Sequence, residues 1–279
     1  MKRILITGQN SYIGTSFENY VKANYPEEYS IDTLDMIDGS WREKSFSGYD
    51  VVFHVAGIAH QKETAENKDL YYKVNRDLAI ETAEKAKIEG VGQFLFLSSM
   101  SVYGKESGII KIDTELNPKS HYGKSKQQAE EKISALQSKS FFVALIRPPM
   151  VYGKGCKGNF QTIVKIVKKL PVFPKVSNSR SMIHIDALCT FVKNTIDRNA
   201  SGVFIPQNSE YMNTSEMAKA IAEKIGKKIY LSRMLGLFVK FMSPFVPAAK
   251  KAFGTLVYEK GEEITNGEKT NRETVMESV

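Results

Sequence analysis

The chain has 279 residues, of which 42% are hydrophobic and 25% charged, so it can bury a sizeable core as one large domain or a domain and a half. The opening apolar run from Ile4 to Thr7 is too short for a signal peptide, and no apolar run reaches membrane-spanning length. Two distant cysteines, Cys156 and Cys189, make neither a disulfide framework nor a metal-ligand set, so we expect a cytoplasmic protein without a bound metal.

The net charge of +8 fits either nucleic-acid binding or an enzyme whose substrate carries phosphate groups. Basic residues interleaved with aromatics, which are typical of nucleic-acid binding, do not form a stripe in this sequence. We therefore expect a phosphorylated small-molecule partner and no nucleic acid.

The chain begins with the pattern of a strand, a tight turn and a helix. Arg3 to Thr7 is an apolar strand, and Tyr12 to Asn24 is an amphipathic helix that Pro26 ends. Small residues in the turn let the backbone approach a pyrophosphate at the helix N-terminus, where the helix dipole favours negative charge. The turn residues predicted to hold a dinucleotide are Gly8, Asn10, Ser11, Tyr12, Ile13 and Gly14.

The second strand, Ser30 to Leu34, ends at Asp35, which has the spacing of an acid that binds the ribose hydroxyls of a dinucleotide. A carboxylate at this point would repel a 2′-phosphate, and the turn carries no lysine or arginine to accept one. We therefore expect NAD as the cofactor. The alternative is that Asp35 is an acid of a solvated loop, beside Asp32 and Asp38.

Apolar strands and amphipathic helices alternate through the rest of the first two thirds, which predicts an α/β fold with a doubly wound parallel sheet of the Rossmann type. The remaining elements predicted there are strands Asp50 to Ala56, Gln93 to Leu97, Phe141 to Ile146 and Ser201 to Pro206, and helices Tyr72 to Ile88, Ser120 to Ser138, Phe160 to Leu170, Ala187 to Asp197 and Thr214 to Ile225.

Three polar side chains form the candidate catalytic set. Tyr122 and Lys126 are four residues apart at a predicted helix start, so they share one helix face. The positive charge of Lys126 would lower the pKa of the Tyr122 phenol, which is about 10 in an unperturbed tyrosine, and let it act as a general base. Ser99, at the end of a buried strand, would hydrogen-bond the same reacting oxygen. The alternative is a tyrosine and a lysine on a solvated helix.

Taken together, the motifs resemble the NAD-dependent epimerase/dehydratase family of extended short-chain dehydrogenase/reductases, which works on nucleotide sugars. They cover roughly the first two thirds of the chain, and Ser11 stands where the family has a glycine. The matching pieces are Thr7-Gly8 with Gly14, Asp35, His54 to Gly57, Val74-Asn75, Ser98-Ser99, Val102 to Gly104, Pro118 to Lys126, Arg147 to Gly153 and Arg180 to Asp186.

The resemblance implies roles for further residues. It implies that Arg147 to Gly153 line the sugar pocket and that Asn159 and Arg180 contact the diphosphate of the substrate. Besides the turn residues and Asp35, the cofactor-binding residues it implies are His54, Val55, Ala56, Gly57, Asn75, Ser98, Tyr122, Lys126 and Pro149. The substrate-binding residues it implies are Ser99, Ser101, Tyr122, Asn159 and Arg180.

One departure from the family pattern distinguishes dehydration of the sugar from its epimerisation or reduction. Dehydratases of the family place an Asp-Glu pair after the residue equivalent to Ser99, and this chain has Met100 and Ser101 there. Neither side chain can serve as the acid and base of a water elimination. The resemblance therefore implies a 4-epimerase similar to UDP-glucose 4-epimerase, acting on a UDP- or dTDP-hexose. The alternatives are a nucleotide 4-keto-sugar reductase and a non-catalytic NAD-binding scaffold or sensor.

We predict an NAD-binding domain formed by residues 1–155 with 178–206, and a small, mainly helical substrate-binding part formed by 156–177 and 207–279. Met234 to Phe253 is rich in phenylalanine and methionine. We expect Pro244 and Pro247 to interrupt the helix that membrane-surface binding needs, so this stretch is expected to form a wall of the substrate-binding part or the surface of a homodimer. We expect the polar tail from Glu259 to Val279 to be loosely held.

Overall fold

A computed structural model describes residues 1–59, 61–242, 245–261, 263–264 and 269–279 of the chain. The strands, in chain order, are β1 (Lys2–Thr7), β2 (Tyr29–Leu34), β3 (Val51–His54), β4 (Gln93–Leu97), β5 (Gly108–Ile110), β6 (Phe142–Ile146), β7 (Met150–Tyr152), β8 (Val172–Pro174), β9 (Met182–His184), β10 (Gly202–Phe204), β11 (Gln207–Asn208), β12 (Tyr230–Ser232), β13 (Leu256–Tyr258) and β14 (Glu263–Ile264). The helices are α1 (Tyr12–Asn24), α2 (Lys68–Tyr72), α3 (Leu78–Ile88), α4 (His121–Ser134), α5 (Asn159–Lys169), α6 (Ile185–Asp197), α7 (Thr214–Lys224), α8 (Arg233–Met242), α9 (Pro247–Phe253) and α10 (Asn271–Glu277).

The chain divides into two compact units. The first contains Met1–Gly104, Glu115–Pro148 and Cys189–Ile205, and the second contains Lys105–Thr114, Pro149–Leu188 and Pro206–Val279. The roles assigned to the two predicted domains, cofactor binding and substrate binding, stay predictions.

The first unit is built on a six-stranded parallel sheet with the strand order β10-β6-β4-β3-β1-β2. The chain moves from β1 outward to β2 and then returns to β3 on the other side of β1. The carboxyl ends of β1 and β3 therefore form the topological switch point, where ligands bind in open α/β sheets. This sheet confirms the predicted doubly wound parallel fold.

Apolar side chains explain why these strands lie in the centre. Every residue of β3 and β4 is buried, as expected of parallel strands that are covered by helices on both faces. On one face, the alanines of α3 and Ala129 of α4 pack with Phe94, Phe96 and Trp41 in a continuous core. This core holds the carboxyl ends of the strands, and with them the candidate site, in a fixed position.

The predicted helix from Tyr72 to Ile88 differs from the observed one. Helix formation begins earlier, in α2, and one π-helical turn, Lys73–Asp77, separates α2 from α3. Such turns occur often at functional sites, and this one carries Asn75.

The second unit combines helices with short parallel strand pairs. The paired strands are β5 with β13, β7 with β9, β8 with β12 and β11 with β14. No helix in the described residues is long and apolar enough to cross a membrane.

The expectation of a loosely held tail is wrong for its last residues. Thr270 and Glu273 form a capping box that starts α10, and Thr274 and Val275 are buried. The Thr274 hydroxyl hydrogen-bonds the Tyr152 hydroxyl at 2.7 Å, inside the second unit. A cap, an apolar anchor and a buried polar contact together hold a segment whose composition is mostly polar.

Candidate functional site

Helix α4 presents the candidate base from its first turn. The Ser120 hydroxyl accepts a hydrogen bond from the Gly123 amide at 3.0 Å, as an N-cap residue does. The Glu63 carboxylate accepts from the amides of His121 at 2.9 Å and Tyr122 at 3.0 Å. Amides that have no acceptor within the helix are thus satisfied, and an anion lies at the positive end of the helix dipole. These bonds fix the backbone of Tyr122.

Sequence reasoning did not identify Glu63, whose capping role can be tested by substitution. Glu63→Ala should lower the free energy of unfolding by about 1 kcal/mol, because it leaves two N-terminal amides of α4 without their acceptor. Glu63→Gln, which keeps one oxygen acceptor, should lower it less. Urea unfolding of both variants measures the effect, with Glu66→Ala, an exposed acid in the same loop, as the control. Equal losses in the Glu63→Ala and Glu66→Ala variants would contradict the capping role.

One turn further along α4 lies Lys126, which is only 4% exposed. Its ammonium donates a hydrogen bond to the Leu97 carbonyl at 2.8 Å and lies 4.5 Å from the centroid of the Phe96 ring. Burial lowers the pKa of Lys126 to about 7, and the negative charge of Glu130 opposes this shift. Lys126 is therefore near the midpoint of its titration at neutral pH.

Glu130 belongs to a buried ion pair that sequence reasoning missed. Both carboxylate oxygens of Glu130 accept hydrogen bonds from Arg147, and the shortest of these bonds is 2.6 Å long and comes from Nη2. Arg147 also donates to the Tyr103 hydroxyl at 2.9 Å. The guanidinium that the family resemblance placed in the sugar pocket is thus buried against α4 instead. The four-residue spacing of Lys126 and Glu130 could have placed Glu130 on the helix face of Lys126, but it does not indicate Arg147 as its partner.

The pH dependence of stability tests the burial of Lys126. Its pKa is about 10.4 in an unfolded chain and about 7 when folded, so below pH 7 both states hold the proton. Between pH 7 and about 10 only the unfolded state holds it, so the free energy of unfolding rises with pH, by up to about 1.4 kcal/mol per pH unit. Urea unfolding of the wild type and Lys126→Met at several pH values in this window should show the rise in the wild type alone. If the free energy of unfolding changed with pH in the same way in both proteins, the result would contradict the burial of Lys126.

The pKa of Tyr122 is raised above its ordinary value. Burial is the largest cause, the nearby Tyr71 adds to the rise, and the neighbouring Ser99 side chain opposes it. The Ser99 hydroxyl also accepts from the Ser101 amide at 3.1 Å and donates to the Ser101 hydroxyl at 3.2 Å. Lys126 is not among the groups that shift this pKa in the structure, so its lowering effect stays a prediction.

The predicted turn at the end of β1 has the geometry of a close backbone approach. Gly8 has a φ of +114°, and a Cβ on it would lie 2.7 Å from the Ala56 amide nitrogen. Asn10 is left-handed, with φ 61°. The Ser11 hydroxyl caps α1 by accepting a hydrogen bond from the Gly14 amide at 3.2 Å. Because this hydroxyl lies so close, a Cβ on Gly14 would collide with it. Ser11, in place of the family's glycine, therefore caps the helix at whose N-terminus a pyrophosphate is expected to bind.

Asp35 is exposed just beyond β2. One carboxylate oxygen accepts from the Ile37 amide at 2.9 Å, which orients the carboxylate. Arg42 follows in the same loop and pairs with Glu81 while its guanidinium stacks 4.7 Å from the Trp41 ring. This arginine is therefore already bound to a carboxylate.

The end of β3 is fixed by Asn75. Its amide oxygen accepts from the Ile58 amide at 2.9 Å, and its amide nitrogen donates to the Ile58 carbonyl at 3.1 Å. A Cβ on Gly57 would lie 2.8 Å from the Asn75 oxygen and 3.5 Å from the Lys126 ammonium. Gly57 thus leaves space beside both side chains, as the predicted cofactor-binding role requires.

Two predicted cofactor residues have side chains that face the interior. His54 is fully buried between Phe94 and Phe96, its Nδ1 lies 2.8 Å from the Thr7 hydroxyl, and burial lowers its pKa to about 3. The Ser98 hydroxyl is buried and has no hydrogen-bond partner among the described residues. Contacts of either residue with a cofactor would therefore use the backbone.

The second unit holds three further predicted residues, Pro149, Asn159 and Arg180. Asn159 is the exposed first residue of α5, whose N-cap, Gly158, provides no side-chain cap. Arg180 is half-buried and donates to the Gly254 carbonyl at 3.0 Å, and burial lowers its pKa. In the described part of the chain no carboxylate lies within ion-pair distance of this guanidinium. Arg180 is therefore a desolvated cation suited to an anionic ligand.

The profile of the NAD dependent epimerase/dehydratase family matches residues 4–204. The chain is 30% identical over 251 residues to a UDP-glucose 4-epimerase of Vibrio cholerae, a match that covers 81% of this chain and 76% of that protein. It is 25% identical over 246 residues to the N-acetyl-alpha-D-glucosaminyl-diphospho-ditrans,octacis-undecaprenol 4-epimerase of Escherichia coli O157:H7, covering 81% and 73%.

Among solved structures, the UDP-glucuronic acid 4-epimerase of Bacillus cereus in complex with NAD is similar, with a TM-score of 0.73. The identity is 16%, and the match covers 99% of this chain and 96% of that one. At this identity the similarity supports the fold, the doubly wound sheet described above.

Proposed function

Because this chain belongs to the NAD dependent epimerase/dehydratase family, we propose that it is an NAD-dependent 4-epimerase of a nucleotide sugar. The observation that carries the proposal is the arrangement on α4, where Tyr122 and Lys126 lie one turn apart and the Ser99 side chain lies close enough to Tyr122 to affect the pKa of its phenol. This arrangement is suited to removing a proton from a sugar hydroxyl and returning it.

The residues of the first unit would divide the proton chemistry between them. Tyr122 takes the proton of the C4 hydroxyl as that carbon is oxidised, and Ser99 holds the same oxygen by a hydrogen bond. When the 4-keto sugar is reduced on its opposite face, Tyr122 returns the proton. The ammonium of Lys126, when protonated, favours the ionised phenol.

NAD would supply the hydride acceptor and donor for carbon 4. The chain's residues fit this dinucleotide, since the space beside Gly8, Gly14 and Gly57 would be filled by a Cβ. The amides at the start of α1 would bind the pyrophosphate. The free oxygen of Asp35 would accept from an adenosine ribose hydroxyl, and Lys126 would donate to the nicotinamide ribose.

The carboxylate of Asp35 predicts which cofactor binds better. NAD should bind at least tenfold more tightly than NADP, because a 2′-phosphate would meet this carboxylate and because Arg42 is already paired with Glu81. Titration of both cofactors into nucleotide-free protein measures the ratio. Asp35→Ser should shrink it, whereas Asp38→Ser, three residues further on, should not. Equal or tighter binding of NADP by the wild type would contradict the role of Asp35.

We propose a substrate in which the sugar is linked to a diphosphate. The two relatives described above are named for UDP-glucose and for a sugar joined by a diphosphate to undecaprenol, so the sugar diphosphate is what their named substrates share. Arg180 and the exposed start of α5 at Asn159 are the groups proposed to bind it. On this proposal the first unit binds the cofactor and the second unit binds the diphosphate.

The residues that follow Ser99 argue against dehydration. Met100 and Ser101 occupy a short 3₁₀ helix, Met100–Tyr103, and neither side chain is an acid or a base near neutral pH. The site therefore retains the groups for exchange of one hydride and one proton at carbon 4, and lacks a separate pair for water elimination.

The proposed reaction is tested by incubating the protein with a panel of UDP- and dTDP-hexoses, with and without NADH, and identifying the products by NMR. Interconversion of UDP-glucose and UDP-galactose, or of their N-acetyl forms, without net use of NADH supports the epimerase. Consumption of NADH with a 4-keto-6-deoxy sugar alone would instead indicate a reductase. Binding of NAD without turnover of any panel member would favour the non-catalytic scaffold or sensor.

A further inference from the structure

Helix α8 turns an apolar face to solvent. Met234, Leu237, Phe238 and Phe241 have the spacing i, i+3, i+4 and i+7, so they lie on one side of the helix. Their exposed fractions are 83%, 69%, 61% and 71%, and Phe245, just beyond the helix, is 72% exposed. Side chains with this spacing normally face a protein core, and contiguous exposed apolar surface marks a binding site.

The opposite side of α8 is docked within the second unit. Gly236 is buried there, and a Cβ at this position would collide with the Lys175 carbonyl oxygen. The Lys175 amide donates to the Ser232 carbonyl at 2.9 Å, and the Leu235 amide donates to the Ser232 hydroxyl at 3.2 Å. The apolar face is therefore displayed by a helix that is held in place on its other side.

The stretch of sequence that contains α8 carries positive charges alone, and one of its lysines, Lys250, pairs with Glu106 at 3.0 Å. The sequence has no aspartate or glutamate between Glu223 and Glu259. On the helical wheel, Arg233 and Lys240 border the same edge of the apolar face, and both are exposed. The cations within this acid-free stretch are Lys224, Lys227, Lys228, Arg233, Lys240, Lys250 and Lys251.

We propose that α8 binds the surface of an anionic membrane. The apolar face would enter the boundary between headgroups and acyl chains, with Arg233 and Lys240 at the level of the lipid phosphates. A second copy of the chain is a poorer occupant, because a symmetric contact would bring the cations of one copy against those of the other. The proposal does not depend on the reaction proposed above.

The prolines separate α8 from α9, as expected, but they leave α8 itself intact. The helix runs unbroken from Arg233 to Met242 and ends before both prolines. Pro247 is the first residue of α9, a position that proline favours, and Pro244 lies outside the described residues. The prolines therefore follow the amphipathic helix and do not interrupt it.

Co-sedimentation of the full chain with lipid vesicles tests the proposal. We expect binding to vesicles of phosphatidylcholine mixed with phosphatidylglycerol, weaker binding to phosphatidylcholine alone, and weakening by salt. The double variant Phe238→Ser, Phe241→Ser should bind about tenfold more weakly or worse, because it removes two inserted rings. Arg233→Gln with Lys240→Gln should remove most of the preference for anionic vesicles. Ile88→Ser, which changes an exposed side chain on α3, is the matched control and should bind normally.

Two results would overturn the proposal. One is failure of the wild type to bind anionic vesicles. The other is sedimentation of the wild type as a dimer that the phenylalanine variant converts to a monomer, with vesicle binding equal in both proteins. Circular dichroism confirms that each variant is folded. If the phenylalanine variant is unfolded, the loss of anionic preference in the Arg233→Gln, Lys240→Gln variant still tests the proposal. Turnover of soluble nucleotide sugars should be the same in all these proteins, so failure of the proposed reaction would be seen separately.

Discussion

Replacing Tyr122 with phenylalanine should lower turnover by about 10²–10⁴-fold, the usual contribution of one general acid–base group. The change removes only the phenolic oxygen and keeps the ring, whose centroid lies 6.5 Å from that of the Tyr71 ring. Cofactor binding should therefore be nearly unchanged. Steady-state kinetics and titration with NAD measure the two effects on the same protein preparation.

Tyr71→Phe is the matched control for this prediction. It removes the same oxygen from the neighbouring ring, whose hydroxyl donates to the Gln61 carbonyl at 3.1 Å in the first unit. Turnover by Tyr71→Phe should stay within a few-fold of the wild type. Near-normal turnover by Tyr122→Phe, or equal losses in the two variants, would contradict the assignment of Tyr122 as the base.

Arg180→Ala should weaken the binding of UDP by about 2 to 5 kcal/mol, the usual cost of breaking a desolvated charge pair. The guanidinium is half-buried, burial lowers its pKa, and its described hydrogen bond is to the Gly254 carbonyl. A diphosphate would supply the negative charge that this desolvated cation lacks. Isothermal titration with UDP measures the loss, and UDP should inhibit competitively against the sugar nucleotide.

Arg272→Ala is the control in the same unit. This arginine is exposed and already pairs with Glu223 at the surface, so its removal should leave UDP affinity unchanged. Unchanged UDP binding in the Arg180→Ala variant would remove Arg180 from the proposed diphosphate site.

Local patterns in the sequence were enough to predict the parallel sheet and the candidate catalytic set. The turn at Gly8 is recognisable because a strand, small residues and a helix follow one another within a short stretch. Tyr122 and Lys126 share a face because helical geometry brings residues four apart together. The match of the family profile to residues 4–204 covers this same part of the chain.

Long-range contacts could not be predicted in this way. Glu63 reaches the amides of His121 and Tyr122 from a loop nearly sixty residues earlier, and no local pattern indicates that approach. Arg147 was assigned to the sugar pocket, but its partner Glu130 is buried on α4 and draws the guanidinium inward. Such pairings depend on how separate elements pack, which sequence spacing does not record.

The exposed face of α8 shows a further limit of prediction from sequence. Its apolar spacing is visible in the sequence, but that spacing normally indicates a side packed against a core. The structure docks α8 through Gly236 instead, a residue without a side chain to mark the contact. The direction of the apolar face was therefore not predictable from the pattern.

The fate of the hydrogen on carbon 4 tests the central proposal most directly. The protein is incubated with UDP-glucose that carries deuterium at carbon 4, and the UDP-galactose formed is analysed by NMR and mass spectrometry. Oxidation and reduction at this carbon, with Tyr122 handling only the hydroxyl proton, predict that the product retains the deuterium at carbon 4. Exchange of the deuterium with solvent hydrogen during epimerisation would contradict the account.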